Sequence, residues 1–284
     1  MSDSRPPFRW PRPSGRAYRH KPSFDGPAKG ESRSPVDDET LLAALAQKQP
    51  LASGAQRAFE GCCIHAVNGV ELVADPEGVA YWPAQDTLLV ADLHLEKGSS
   101  FARRGQLIPP YDTLATLRRL EAVVQKWQPA RVVALGDSFH DAEGAQRLTT
   151  AARASLAALM AGRDWVWITG NHDPLPPKGI AGTVMETLQT GGLILRHDPT
   201  IDGPAGEIAG HLHPKARLMR QGRSVRRSCF AASKTRMIMP SFGAYTGGLS
   251  IFDRAFEGLF EGRNFHALMR GNGAVYRIAA VDLS

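Results

Sequence analysis

Apolar residues in the body of the chain fall into short runs, and the runs end in polar loops. DTLLVA at 86–91 gives way at once to Asp92-Leu93-His94, and RVVAL at 131–135 runs into Gly136-Asp137. WVWIT at 165–169 meets Gly170-Asn171-His172-Asp173. The run at 193–195 leads to His197, and 207–209 to Gly210-His211-Leu212-His213. Apolar runs this short, bounded by turn residues, predict strands, and 71–74 with 78–82 predict a hairpin around a turn at 75–78. Between the runs the spacing is helical. Leu114, Leu117, Leu120 and Val124 share a face over 113–127, with Pro129 just beyond. A second helix, rich in Ala and Leu, is expected over 148–160, with Gly162 suited to its end. Strands alternating with helices predict an α/β (or α+β) fold with extra antiparallel strands at its β-rich ends. In open α/β sheets ligands bind at the carboxyl ends of the strands, where five of these runs deliver His, Asp or Asn.

Composition separates this body from what precedes it. The chain has 284 residues, 43% of them apolar, and no apolar run long enough to span a bilayer. Residues 1–34 hold eight Lys/Arg against three Asp/Glu, so five of the six net positive charges sit there and residues 35–284 carry only +1. Seven prolines in residues 1–35 and the lack of apolar periodicity predict a disordered basic leader, without the apolar core of a secretory signal. The expected organisation is a leader over 1–59, with a short helix at 37–47, and one domain over 60–284. Three cysteines, two of them adjacent, make no disulfide framework and point to the cytoplasm.

Six of the nine histidines lie in the loops that follow the strands: His94, His140, His172, His197, His211 and His213. One such histidine is ordinarily a loop or core residue with a satisfied hydrogen bond. Six gathered at one edge suggest a site, because buried polar groups without partners are costly. Imidazole and carboxylate without thiolate suit Mn, Fe, Zn or Ni. Asp92, His94, Asp137, Asn171, His197, His211 and His213 outnumber one coordination sphere, which fits two divalent metals sharing a carboxylate. Two such cations can hold a hydroxide nucleophile and clamp both oxygens of an in-line phosphoryl displacement.

The ordered set DLH (92–94), GD (136–137), GNHD (170–173), His197 and GHLH (210–213) resembles the calcineurin-like metallophosphoesterases over roughly 65–250. The resemblance implies a β-sandwich flanked by helices, with a dinuclear centre at the carboxyl edge of the strands. It implies that Asp92, His94 and His213 hold one metal, that Asn171, His197 and His211 hold the other, and that Asp137 bridges. His172 would stand beside the scissile bond and protonate the leaving oxygen. Asp173 would either orient His172 or cap its loop. The chain departs from the pattern GDxxD, reading Gly136-Asp137-Ser138-Phe139-His140-Asp141. It also lacks the arginines that follow GD and GNH in protein Ser/Thr phosphatases.

DLHLEKGSSFARRG (92–105) and SFGAYTGGL (241–249) are similar to the bacterial ligase-associated DNA-damage-response endonucleases. That likeness implies a DNA substrate and a functional association with an ATP-dependent DNA ligase, a helicase and an exonuclease-like protein; of the metals that suit the donor set, Mn2+ is the expected cofactor. Phe101, Arg103 and Arg104 are either a solvated helix face or substrate contacts. A phosphodiesterase on nucleotides or cyclic nucleotides, a phosphatase, and a catalytically silent binding module remain the alternatives. Between Glu207 and Asp253 there is no acidic residue and there are eight Lys/Arg. A hairpin of 218–220 with 225–230 would lead from the GHLH loop and carry Lys215, Arg217, Arg220 and Arg226 as a phosphate track. Strand parity lets only some of these share a face.

Overall fold

The computed structural model describes residues 59–284 except Pro176 and Gln221. The predicted leader and its helix at 37–47 lie outside the described residues. In chain order the strands are β1 (Cys63–Val67), β2 (Val70–Ala74), β3 (Ala80–Trp82), β4 (Thr87–Val90), β5 (Arg131–Leu135), β6 (Asp164–Ile168), β7 (Thr183–Met185) and β8 (Thr187–Thr190). They continue with β9 (Leu193–Arg196), β10 (Glu207–Ala209), β11 (Lys215–Arg220), β12 (Arg223–Ala232), β13 (Arg236–Ile238), β14 (His266–Gly271) and β15 (Ala274–Ala279). The helices are α1 (Lys97–Arg103), α2 (Asp112–Trp127), α3 (Gly144–Arg147) and α4 (Thr150–Met160).

Two sheets pack face to face. The first has the order β1-β2-β3-β4-β5-β6-β7, and the second β15-β14-β12-β13-β10-β9-β8, with β11 added to β12. Successive residues of β4 explain the layering. Leu88 and Val90 face the helices and pack with Leu117, Leu120 and Leu156, whereas Leu89 faces the second sheet and packs with Leu195, Ile208 and Phe230. A strand covered on both faces has no polar side, which is why these runs read as continuous apolar segments. A third core, with Leu218, Phe256 and Phe265, covers the outer face of the second sheet.

The parallel strands set the site. β4, β5 and β6 run parallel in the first sheet, and β9, β10 and β13 in the second. Their carboxyl ends bring the five polar loops to one edge. α4 begins at Thr150, two residues after the predicted start, and is capped by Thr149, whose hydroxyl accepts from Ala152 N at 3.2 Å. No helix among the described residues is long and apolar enough to cross a membrane.

Candidate metal centre

Three groups of side chains each bring one donor atom within 4.8 Å of the others: Asp92, His94 and His213; Asp137, His197 and His211; and His94, Asp137 and His172. His213 Nε2 lies 3.2 Å from Asp92 Oδ1 and 3.3 Å from His94 Nε2. His197 Nε2 lies 3.4 Å from Asp137 Oδ1 and 3.2 Å from His211 Nδ1. Asp137 stands in two of the three groups. Asn171 is exposed between Gly170 and His172, whose backbone N donates to Asp137 Oδ1 at 2.9 Å.

Local backbone conformation makes the convergence. Asp92, His94, Asp137, His211 and His213 all have left-handed φ, between 43° and 69°, a region non-glycine residues rarely occupy. Such outliers cluster where function over-determines the structure. The aspartates also tie the loops together, since His211 N donates to both oxygens of Asp92 at 3.0 and 3.2 Å. Gly136, at φ +77°, lets two loops touch, because a Cβ there would meet the His197 ring at 2.5 Å.

The protonation states suit cation ligands. Burial pushes His94 down to about 3, with Asp92 opposing and the other histidines adding to the effect, so its imidazole stays neutral. For Asp92 burial favours the neutral acid, but the hydrogen bond and charge of His213, with His197 and His94, outweigh it and hold the carboxyl below its ordinary value. His197 Nδ1 donates to Leu135 O at 2.9 Å, which leaves the Nε2 lone pair directed at Asp137. Two carboxylates and several imidazoles whose donor atoms gather within 4.8 Å, with no thiolate among them, fit divalent metals.

His172 is placed differently. Its side chain is 44% exposed and its Nε2 lies 3.9 Å from Asp137 Oδ2, while Nδ1 donates to His140 O at 3.0 Å. The His140 ring stacks on it with centroids 4.9 Å apart. Asp173 turns away from this histidine. It accepts from Phe139 N at 3.0 Å and Gly170 N at 3.1 Å, stapling two loops. Burial and then repulsion from Asp137, opposed by the backbone donors, raise it to about 7. The altered GDxxD segment is also ordered: His140 covers His172, and Asp141 takes two hydrogen bonds from Arg147 at 2.7 and 2.8 Å.

The basic residues divide. β11 and β12 pair with Arg217 opposite Arg226 and Lys215 opposite Ser228, so Lys215, Arg217 and Arg226 share a face. Arg220 pairs with Arg223 on the opposite face, apart from the other three. Arg226 Nη2 donates to Gly248 O at 3.1 Å, and a Cβ on Gly248 would touch the His213 carbonyl, so this face adjoins the centre. In α1, Arg103 is ion-paired with Glu143, whereas Arg104 lies by Phe101, whose ring is 5.5 Å from that of His140. Sequence reasoning missed Lys97, whose Nζ donates to Tyr245 O at 2.9 Å; the only signal was its place in the 92–105 stretch.

No protein-family model matches the chain, and no curated protein matches it significantly. Among solved structures it is similar to the crystal structure of the Pseudomonas putida nuclease MPE, at 26% identity and a TM-score of 0.58, covering 76% of this chain and 100% of that one. A conserved uncharacterized protein of Streptococcus pneumoniae TIGR4, a predicted phosphoesterase, matches at 17% identity and a TM-score of 0.29 over 68% of this chain and 96% of its own, a likeness too slight to carry weight. With two facing sheets, flanking helices and a His/Asp cluster at the strand ends, the chain belongs to the metallophosphoesterase superfamily of phosphoric ester hydrolases.

Proposed function

We propose that this chain is a divalent-metal-dependent phosphodiesterase acting on DNA, an endonuclease of ligase-associated repair in the cytoplasm. The observation that carries the reading is the meeting of two carboxylates and four imidazoles in overlapping groups, with a half-exposed His172 beside the carboxylate they share. In this reading Asp92, His94 and His213 hold one cation, Asn171, His197 and His211 hold a second, and Asp137 serves both. Two divalent cations, with Mn2+ expected and Zn2+, Fe2+ or Ni2+ also suited to these donors, supply Lewis acidity when bound: they acidify water and offset charge on the phosphate oxygens.

The protein groups do the rest. The His172 Nδ1 proton is committed to the His140 carbonyl, so Nε2 alone faces the site. Protonated there, His172 donates to the leaving oxygen of the broken P–O bond, and the neutral ring can take a proton back from solvent. His140 stacks on His172 and Asp173 staples the loop, so both act by positioning. Lys215, Arg217 and Arg226 form a track that positions a phosphate backbone without reading sequence. DNA as the substrate is supported by this track and by the likeness to the Pseudomonas putida nuclease. The association with a ligase, a helicase and an exonuclease-like protein rests on the similarity of residues 92–105 and 241–249.

An assay of the Mn2+-loaded protein on single-stranded DNA, duplex DNA, cyclic nucleotides and a nitrophenyl phosphodiester tests this. Internal cleavage of DNA is expected. Hydrolysis confined to cyclic nucleotides or monoesters would move the protein to small-molecule chemistry, and hydrolysis of none would overturn the reading.

A further inference from the structure

We propose that Lys97 and Arg104 form a second phosphate site, which holds a backbone phosphate flanking the one cleaved and so selects a nucleic-acid strand over an isolated phosphodiester. This rests on the phosphodiesterase reading above and names the chemistry its substrate must bring.

The first argument is charge accounting around α1. A depression of about 470 Å3 is lined by Ser100, Arg103, Arg104, Asp141, Ala142 and Glu143. Both of its carboxylates are taken, Glu143 by Arg103 and Asp141 by Arg147. Arg104 is the cation left over. Its guanidinium makes a long contact to Ser100 Oγ, 3.4 Å, and lies 5.9 Å from the Phe101 ring. Lys97 is half-buried and bonds the Tyr245 carbonyl. The charge of Asp112 reaches it, but Asp112 binds Gly98 N at 3.1 Å. Neither Lys97 nor Arg104 has a carboxylate within ion-pair distance among the described residues. A partly desolvated ammonium with no counter-ion is costly, and an anionic ligand would complete it.

The second argument is position. Both cations lie against one ring, Lys97 Nζ at 5.8 Å and Arg104 at 5.9 Å from Phe101. That ring packs on His140, which stacks on His172. The pair is thus linked to the proposed acid through two packed rings, which assigns it to a flanking phosphate rather than to the one under attack. The loop 241–249 joins the pair to the basic hairpin, since Tyr245 O accepts from Lys97, Gly243 N donates to Asp92 O at 3.0 Å, and Gly248 O accepts from Arg226. A strand lying along this loop would meet Lys215 and Arg226 beside Gly248 and Lys97 beside Tyr245.

A protein-by-substrate cycle tests the site. Oligonucleotides carry one uncharged methylphosphonate in turn at each position flanking the cleavage point, and are cleaved by wild type, Lys97→Gln and Arg104→Gln. At one position the methylphosphonate should raise the wild-type KM about tenfold, the size of a charge-assisted contact. Each variant should show the same rise on the unmodified strand, and the two changes together should cost no more than one. Arg104→Lys should recover part of the loss. Arg103→Gln, whose charge is already matched by Glu143, should keep the full methylphosphonate effect. Binding of the unmodified strand in chelator gives a second readout, with a salt slope smaller by about 0.7 per lost phosphate contact. Effects that multiply, or no flanking position that matters, would overturn the inference while leaving the phosphodiesterase reading intact. If the protein hydrolyses nothing, that reading fails, and the binding arm still decides: equal affinity and salt slope in wild type and both variants would overturn the phosphate site.

Discussion

Gly136→Ala places a methyl group where the structure has an aromatic ring. The new Cβ would lie 2.5 Å from Cγ and Nδ1 of His197, so the ring must move. The move breaks the bond from His197 Nδ1 to Leu135 O, about 1 kcal/mol. An alanine at φ +77° adds about 1–2 kcal/mol for its left-handed conformation. Together these cost about 2–3 kcal/mol, a fall of roughly 5–10 °C in Tm for a domain of this size. Because His197 Nε2 faces Asp137 and His211, the same displacement should remove one of two metal ions. Gly162→Ala is the matched comparison, since Gly162 has φ +72° and nothing within 4 Å of a new Cβ. It should carry the backbone cost alone and keep both metals. Calorimetry and metal analysis of the two variants read the outcome. Wild-type metal content in Gly136→Ala, or an equal loss in Gly162→Ala, would refute the claim that this glycine exists to admit His197.

His172→Ala should slow turnover by roughly 10²–10⁴-fold, the range for losing a positioned acid, with metal content retained, whereas His211→Ala should lower metal content; metal analysis beside the rate separates them. Arg217→Ala with Arg226→Ala should weaken DNA binding and reduce its log–log salt slope by about 0.7–0.9 per lost phosphate contact, while Arg220→Ala, on the other face, should do so less in the same titration. Acid should destabilise the fold through His65 and His266. Burial lowers both, with Arg277 adding to it, and His266 falls to about 4. A histidine kept neutral in the fold stabilises fully above its unfolded value near 6.5, and that contribution is lost as pH falls toward 4. His266→Gln should flatten the Tm–pH curve in that window.

The polar loops were legible because a short apolar run followed by Asp or His is a local pattern. The strands at 131–135 and 207–209 needed nothing beyond their own residues. β1, β14 and β15 carry weaker signals, because their half-buried positions take their pattern from distant partners. Residue 229 shows the limit most clearly. β12 pairs with β11 up to Ser228, from Cys229 onward with β14, and at Ala231 and Ala232 with β13 as well, so one continuous strand serves three neighbours. Within the centre, residue types suggested ligands, but not that His140 would stack on His172 or that Asp173 would bind Phe139 N. Both depend on where two loops meet. The split of Arg220 from Arg217 and Arg226 followed from strand parity once the register was known.

The most direct test returns Mn2+ stepwise to chelator-stripped protein while hydrolysis of a nitrophenyl phosphodiester is followed. Activity should appear with the second equivalent bound per chain and be absent at every loading in Asp137→Asn. Full activity at one equivalent, or in saturating chelator, would contradict a centre built from two cations around Asp137.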